Sequence, residues 1–329
     1  MSRDADGADV QIQNKPKKYN IMSQSIENTI ISSTPRLKDY LGLCKLKVVS
    51  LIVFTAIVGM FLAVPGMVPW QPLIFGTIGI GLAAASAAAI NHVVDEKIDA
   101  EMARTKHRPL PEGNITTQNA IIFAFVIGAI AMLILTVLVN PLTAVLTLAS
   151  LIGYAIVYTM YLKRATPMNI VIGGAAGAAP PVLGWTAVTG TLEPHSLLLF
   201  LIIFVWTPPH FWALAIYRRK EYAKVDVPML PVTHGVKYTR LLILLYTVLL
   251  FIVSLLPFIT YMSGLLYLVT AVISGGIFLK YAIKLYSSDS DKLAMETFTY
   301  SLIYLTVIFS ALLIDHYFKW DLGIFMGSA

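Results

Sequence analysis

The chain has 329 residues, of which 57% are apolar and only 13% charged, with a formal charge of +6. Soluble globular chains carry about 25% charged and 45–50% apolar residues, so a water-facing globule, a disordered chain, a collagen, a coiled coil and a disulfide scaffold are all excluded. A mean hydropathy of +0.75 points the same way, to an all-α polytopic membrane protein. The single Cys44 admits no internal disulfide and leaves the redox compartment open.

In chain order, residues 1–40 are polar, lack an apolar signal core and carry Asp4, Asp6 and Asp9, which argues against a transit peptide. They read as a disordered cytoplasmic tail on a bacterial inner-membrane protein. Residues 35–46 read as a short interfacial helix leading into a transmembrane domain over 41–320, with 321–329 as a C-terminal tail. A bilayer core takes about 20 apolar residues per helix. Nine stretches fit, at roughly 47–64, 72–92, 117–139, 141–162, 168–188, 196–216, 240–260, 263–284 and 297–318. Asn140-Pro141 predicts a tight hairpin between the third and fourth, because proline cannot continue a helix. The fifth is Gly-rich and carries Pro180-Pro181, which predicts a kink.

Nine crossings from a cytoplasmic N-terminus put all of the 24 Lys and Arg except Lys319 on the cytoplasmic side. The basic excess is therefore topological, and a nucleic-acid partner drops out; the partner implied is the lipid bilayer. The Gly/Ala runs from Gly76 to Ala89 and Gly173 to Ala179 predict close helix approach, not a phosphate loop, since no P-loop lysine pattern follows.

Charge at the edge of a membrane bundle is expensive and usually functional. The densest cluster follows the second span. On a helix Asn91, Asp95 and Asp99 share one face, drifting about 40° per step, and two carboxylates one turn apart repel. A divalent cation offsets that repulsion, and hard oxygen donors suit Mg²⁺, which binds through one or two carboxylates together with substrate phosphates. Arg104 and Arg108, spaced by four, add planar cations for phosphate oxygens. A lone DxxxD is more often a solvated helix end; the preceding Asn and following arginines favour a Mg²⁺–diphosphate site.

A second cluster closes the sixth span, where His210, Tyr217 and Glu221 fall within about 20° of one another on a continuous helix. Glu221 and Asp226 lie about 140° apart on that helix, so both cannot be ligands unless the helix breaks between them, and Glu221 is preferred. His210 sits beside Pro208-Pro209, Trp206 and Trp212 and reads as either a structural histidine or a ligand. At the end of the fourth span, Lys163 stands with Tyr158 and Tyr161 and reads as either a topological anchor or a site cation.

The run from Asn91 to Pro111, NxxxDxxxDxxMxRTxxRPLP, resembles the first aspartate-rich motif of the UbiA-like intramembrane prenyltransferases. The stretches Thr166 to Trp185 and Pro208 to Gly235 resemble two more motifs of the haem-farnesylating branch of that family, and the likeness covers roughly residues 40–320. The resemblance implies nine helices around a central cavity, with the diphosphate site on the cytoplasmic side. It implies transfer of farnesyl from farnesyl diphosphate to the 2-vinyl group of haem b, with water addition, giving haem O. Haem b is then a substrate, Mg²⁺ the cofactor, and haem A synthase or terminal-oxidase assembly factors the downstream partners.

Residue by residue, Asn91, Asp95 and Asp99 match the metal positions, Arg104 and Arg108 the diphosphate arginines, and Lys163 the lysine after the fourth span. Lys220, Tyr217, Tyr158, Tyr161 and His210 are placed on the substrates, the tyrosines as ring faces for a carbocation. The second motif departs from the family's DxxxD: Glu221 holds its first acidic position, and Val225 stands where the partner acid belongs. A UbiA-like enzyme acting on a quinone precursor such as 4-hydroxybenzoate is the alternative, but it should lack IVIGGAAGAAPP and PPHFWALAI. A transporter should carry mid-membrane charge and repeat symmetry, whereas most charges here lie at one face.

Overall fold

The computed structural model describes residues 35–288 and 290–318, and every regular element among them is a helix. Helices satisfy every backbone donor and acceptor internally, as a lipid surround demands. The chain opens on α1 (Leu37–Leu43), capped by Asp39, which accepts from the Arg36 N–H at 2.9 Å. Lys45 then adopts a left-handed backbone angle (φ 48°), and the chain bends by 58° into α2 (Leu46–Leu62).

Next come α3 (Pro72–Val94), the short α4 (Glu96–Glu101), α5 (Thr117–Val139), α6 (Pro141–Ala165), α7 (Asn169–Thr189) and α8 (Pro194–Tyr217). The short α9 (Arg219–Lys224) and α10 (Leu230–Thr233) lead to α11 (Val236–Ile259), α12 (Leu265–Tyr286) and α13 (Asp291–Phe318). Eight of these are long and apolar enough to span a membrane, and the bent α1–α2 pair makes nine among the described residues. The nine expected crossings are present. The last begins at Asp291 instead of 297, because Asp291 and Lys292 continue the helix beyond the apolar run. The two terminal tails lie outside the described residues.

The Asn140 hairpin forms as its sequence dictates. Asn140 is extended, its Oδ1 accepts from Thr143 N at 2.9 Å, and Pro141 fills the first position of α6. Asn140 Nδ2 also donates to the Thr186 carbonyl at 2.8 Å, tying the hairpin to α7. Helix α7 is built from two helical halves, and Pro180 and Pro181 open the second.

That second half crosses α2 at a reciprocal pair of glycines. A Cβ on Gly184 would overlap the Ala56 carbonyl, and one on Gly59 would overlap the Pro181 carbonyl. Small residues let backbones meet where lipid supplies no hydrophobic drive between helices. The bundle closes where α13 packs on α2. There His316 Nε2 meets the Val64 carbonyl at 2.9 Å, and Tyr317 donates to the Gly66 carbonyl at 3.0 Å. Large side chains such as Tyr267, Phe278, Tyr304 and Phe309 fill the α8–α11–α12–α13 interior, while Phe125, Val126, Leu133 and Val137 of α5 face outward as a lipid surface.

Candidate active site

Alternating crossings bring the last turns of α3, α6 and α8 to one end of the bundle, and two polar corners form there. The first is built on Asp95, which ends α3 with near-bridge angles (φ −89°, ψ 1°) before α4 begins. Asn91, Asp95 and Asp99 therefore do not lie on one continuous helix, yet all three are buried together. Lys163 donates to Asp95 Oδ2 at 2.6 Å, and Asn91 Nδ2 donates to the same oxygen at 2.9 Å. Arg108 holds Asp99 Oδ2 at 2.5 Å, while Thr105 Oγ1 fastens the loop to the Asp99 carbonyl at 2.9 Å. Arg104 stands at the exposed rim, within electrostatic range of Asp99, Arg108, Tyr222 and Arg218.

Two features fit this corner to a divalent cation. Asp95 Oδ1 is buried without a hydrogen-bond partner, an arrangement that native interiors rarely leave unexplained. Asp99 adds a second buried carboxylate one turn on, giving the hard oxygen donors that Mg²⁺ takes. Asn91 differs from its expected part. Its Oδ1 accepts from Lys45, and its Nδ2 donates to Asp95 and, at 3.4 Å, to Thr159, so in this state it orients Asp95. Neighbouring His92 is buried with both ring nitrogens unpartnered.

Lys163 reaches Asp95 because α6 widens into π-helix over Gly153–Leu162, a distortion frequent at functional sites. The wider repeat, marked by the Lys163 N–H donating to the Tyr158 carbonyl five residues back, also re-aims the tyrosines. Tyr158 stacks on Tyr154 (centroids 5.5 Å, 29°) and lies where a Cβ on Gly173 would stand. Tyr161 is 69% exposed and turned outward. Tyr154, within electrostatic range of Asp95 and Arg108, takes the inward place that the sequence suggested for Tyr161.

The second corner is looser. Arg218 leaves helical geometry (φ −101°, ψ 14°) between α8 and α9, so His210, Tyr217 and Glu221 do not form the single stripe expected of one helix. Asp226 lies past the end of α9 with φ 51°, which removes the angular argument that set it against Glu221. Glu221 pairs with Arg218 at 3.2 Å, and Arg219 pairs with Asp291 at 2.6 Å, pinning α9 to the start of α13. Among the described residues no three His, Cys, Asp or Glu side chains converge to hold a metal ion, so Glu221 does not join Asp95 and Asp99 around one ion. Tyr222, absent from the expected site, lies between the corners. Burial pushes its phenol above the ordinary tyrosine value, while the nearby Arg104 and Arg218 cations oppose that rise.

His210 is sandwiched between Trp206 (4.2 Å) and Phe298 (4.5 Å), with Nδ1 at 2.6 Å from Ser301 Oγ. Its packing is that of a satisfied interior histidine. Tyr217 instead lines a cavity of about 500 Å³ between α8, α12 and α13 with Tyr281, Tyr300, Met295, Lys292 and Glu296, and Lys220 is exposed on α9.

A buried carboxylate pair ringed by Lys45, Arg104, Arg108 and Lys163 thus lies at one end of an apolar helical bundle. The UbiA prenyltransferase family model matches residues 52–309, and the chain belongs to that family. It is 65% identical over 280 residues to the Protoheme IX farnesyltransferase of Methylococcus capsulatus, covering 85% of this chain and 94% of that relative. It is 56% identical to the Protoheme IX farnesyltransferase of Paraburkholderia xenovorans, covering 91% of this chain and all of that relative. The fold is shared with a digeranylgeranylglyceryl phosphate synthase (TM-score 0.73, 20% identity, 85% of this chain and 98% of that one). It is also shared with a UbiA homologue from Archaeoglobus fulgidus bound to DMAPP and Mg²⁺ (TM-score 0.59, 16% identity, 83% and 99%).

Proposed function

We propose that this chain transfers farnesyl from farnesyl diphosphate to the 2-vinyl group of haem b, giving haem O and diphosphate. The observation that carries this reading is the 56–65% identity, over nearly their whole lengths, to relatives named Protoheme IX farnesyltransferase. The same breadth of identity disfavours a quinone-precursor enzyme or a transporter.

Asp95, through its free Oδ1, and Asp99 would hold Mg²⁺, which when bound supplies positive charge to the diphosphate. Arg104, Arg108 and Lys163 neutralise the negative charge that grows as the allylic C–O bond breaks. Asn91 and Lys163 fix the Asp95 carboxylate, so little reorganisation accompanies the step. The farnesyl group departs as a delocalised cation, and the stacked Tyr154 and Tyr158 offer ring faces to it. The terminal vinyl carbon of haem b forms the new C–C bond, moving the cation to the carbon beside the porphyrin. Water adds there and loses a proton, leaving the hydroxyl. No covalent nucleophile takes part.

We place the chain in the bacterial inner membrane with its N-terminus and both polar corners cytoplasmic, on the asymmetry of its Lys and Arg. Haem A synthase or oxidase assembly factors would consume the product. The test is expression in cells lacking haem O, with extracted haems read by mass. Farnesyl-hydroxyethyl haem is the expected product, and a prenylated phenol or unchanged haem b overturns the reading.

A further inference from the structure

The α1–α2 elbow holds features that a topological anchor does not need. Lys45 sits at the 58° bend in a left-handed conformation, costly for a side-chain-bearing residue. That geometry sends its ammonium inward to Asn91, 46 residues away in sequence. Around it lies a shallow, open depression lined by Lys38, Lys45, Lys47, Leu41, Leu46 and Val48. Lys38 and Lys47 are exposed, as are Leu41, Leu46 and Val48. The elbow is also fastened to the arginine loop. Leu43 is buried with Leu110 and Ile115, and a Cβ on Gly42 would come within 3.0 Å of Pro109, the residue after Arg108.

We infer that this elbow captures the prenyl diphosphate at the membrane surface and passes its head to the Arg104, Arg108 and Lys163 cations around Asp95 and Asp99. The inference rests on the diphosphate chemistry proposed above. Three ammonium groups match the anionic head, and the exposed Leu41, Leu46 and Val48 match an apolar chain already dissolved in lipid. Lys45 belongs to both ends of the path, because it lines the outer depression and touches the site. A surface patch of one sign of charge beside low-dielectric lipid raises the local concentration of an oppositely charged ligand. Lys45 is thus the link between the elbow's ammonium groups and the polar corner.

The test uses the full-length protein in phosphatidylcholine vesicles and in vesicles with added phosphatidylglycerol. The double variant Lys38→Gln/Lys47→Gln leaves every residue of the polar corner in place. Its KM for farnesyl diphosphate should rise about tenfold in both vesicles, with kcat within about twofold. The difference should vanish near 1 M salt, where the screening length is about 3 Å. Leu46→Ser should raise the same KM while leaving inhibition by inorganic diphosphate unchanged. An unchanged KM in the double variant overturns the inference. A change seen only with phosphatidylglycerol present does so too, since the lysines would then serve lipid headgroups. Binding of radiolabelled farnesyl diphosphate without haem separates this idea from the functional reading. Weaker binding by the double variant, alongside a wild type that farnesylates no haem, refutes the acceptor and keeps the elbow; equal binding refutes the elbow.

Discussion

The two polar corners share a bundle end and a similar residue stock, but they differ in what surrounds their acids. At the Asp95 corner the acid and its Lys163 partner have side-chain exposures of 5% and 14%, and one carboxylate oxygen has no partner at all. At the Glu221 corner the acid is 33% exposed and paired to Arg218 three residues earlier on its own segment. A partly exposed pair within one segment contributes little, whereas a buried carboxylate held by groups from two helices is fixed in place and strongly coupled to any bound charge. The sequence already sets the corners apart, since the second lacks the partner acid of a DxxxD; burial and cross-helix pairing widen the difference.

The largest effect is expected where that separation is sharpest. Asp95→Ala and Asp99→Ala should each lower turnover by at least about a hundredfold, the scale of losing one preorganised charge-stabilising group, while the protein still inserts and elutes as folded. Near-normal haem O from either variant breaks the comparison. Chelation by EDTA should stop the reaction and added Mg²⁺ should restore it, whereas indifference to chelator removes the metal from the Asp95 corner. A smaller loss is expected for Asn91→Ala, about tenfold to a hundredfold, the range for groups that orient a metal ligand. Its signature is a raised Mg²⁺ requirement measured by titration, because the residue orients Asp95 and positions Lys45. Lys163→Met should instead raise the KM for farnesyl diphosphate and lower kcat together.

Much of this architecture is legible in the sequence, for a physical reason. A chain in lipid announces its helices by length and apolarity alone, and Asn140-Pro141 marks its turn by backbone chemistry. Asp95, Asp99 and Arg108 are legible because expensive charges concentrate on either side of one span end. Lys45 is not: only the bend at its own left-handed backbone carries it to Asn91. Tyr154 is hidden because it lies farther from the span end than Tyr158 and Tyr161, and only the π-helical repeat turns α6 so that it faces the site. The break at Arg218 has neither proline nor glycine to signal it, and α9 ends at Lys224 before Asp226, so angles measured along one continuous helix misplaced Glu221 against Tyr217 and Asp226 against Glu221.

The smallest effect tests the looser corner. Glu221→Gln preserves shape and removes charge, freeing Arg218, which lies within electrostatic range of Arg104 at the rim of the first corner. If Glu221 acts only through that arginine, turnover should fall by no more than about fivefold, the scale of an exposed ion pair. The Mg²⁺ requirement should then stay unchanged, and Arg218→Gln should reproduce the effect without adding to it. If Glu221 supplies a second metal position, the Mg²⁺ requirement rises instead, and the double variant is worse than either single one. Asp226→Asn should stay within twofold of wild type, since Asp226 is exposed beyond α9. An Asp226 variant worse than the Glu221 variant would mean that the segment after Lys224 folds back over the site when diphosphate binds, and the looser corner would then be the mobile wall of the tighter one.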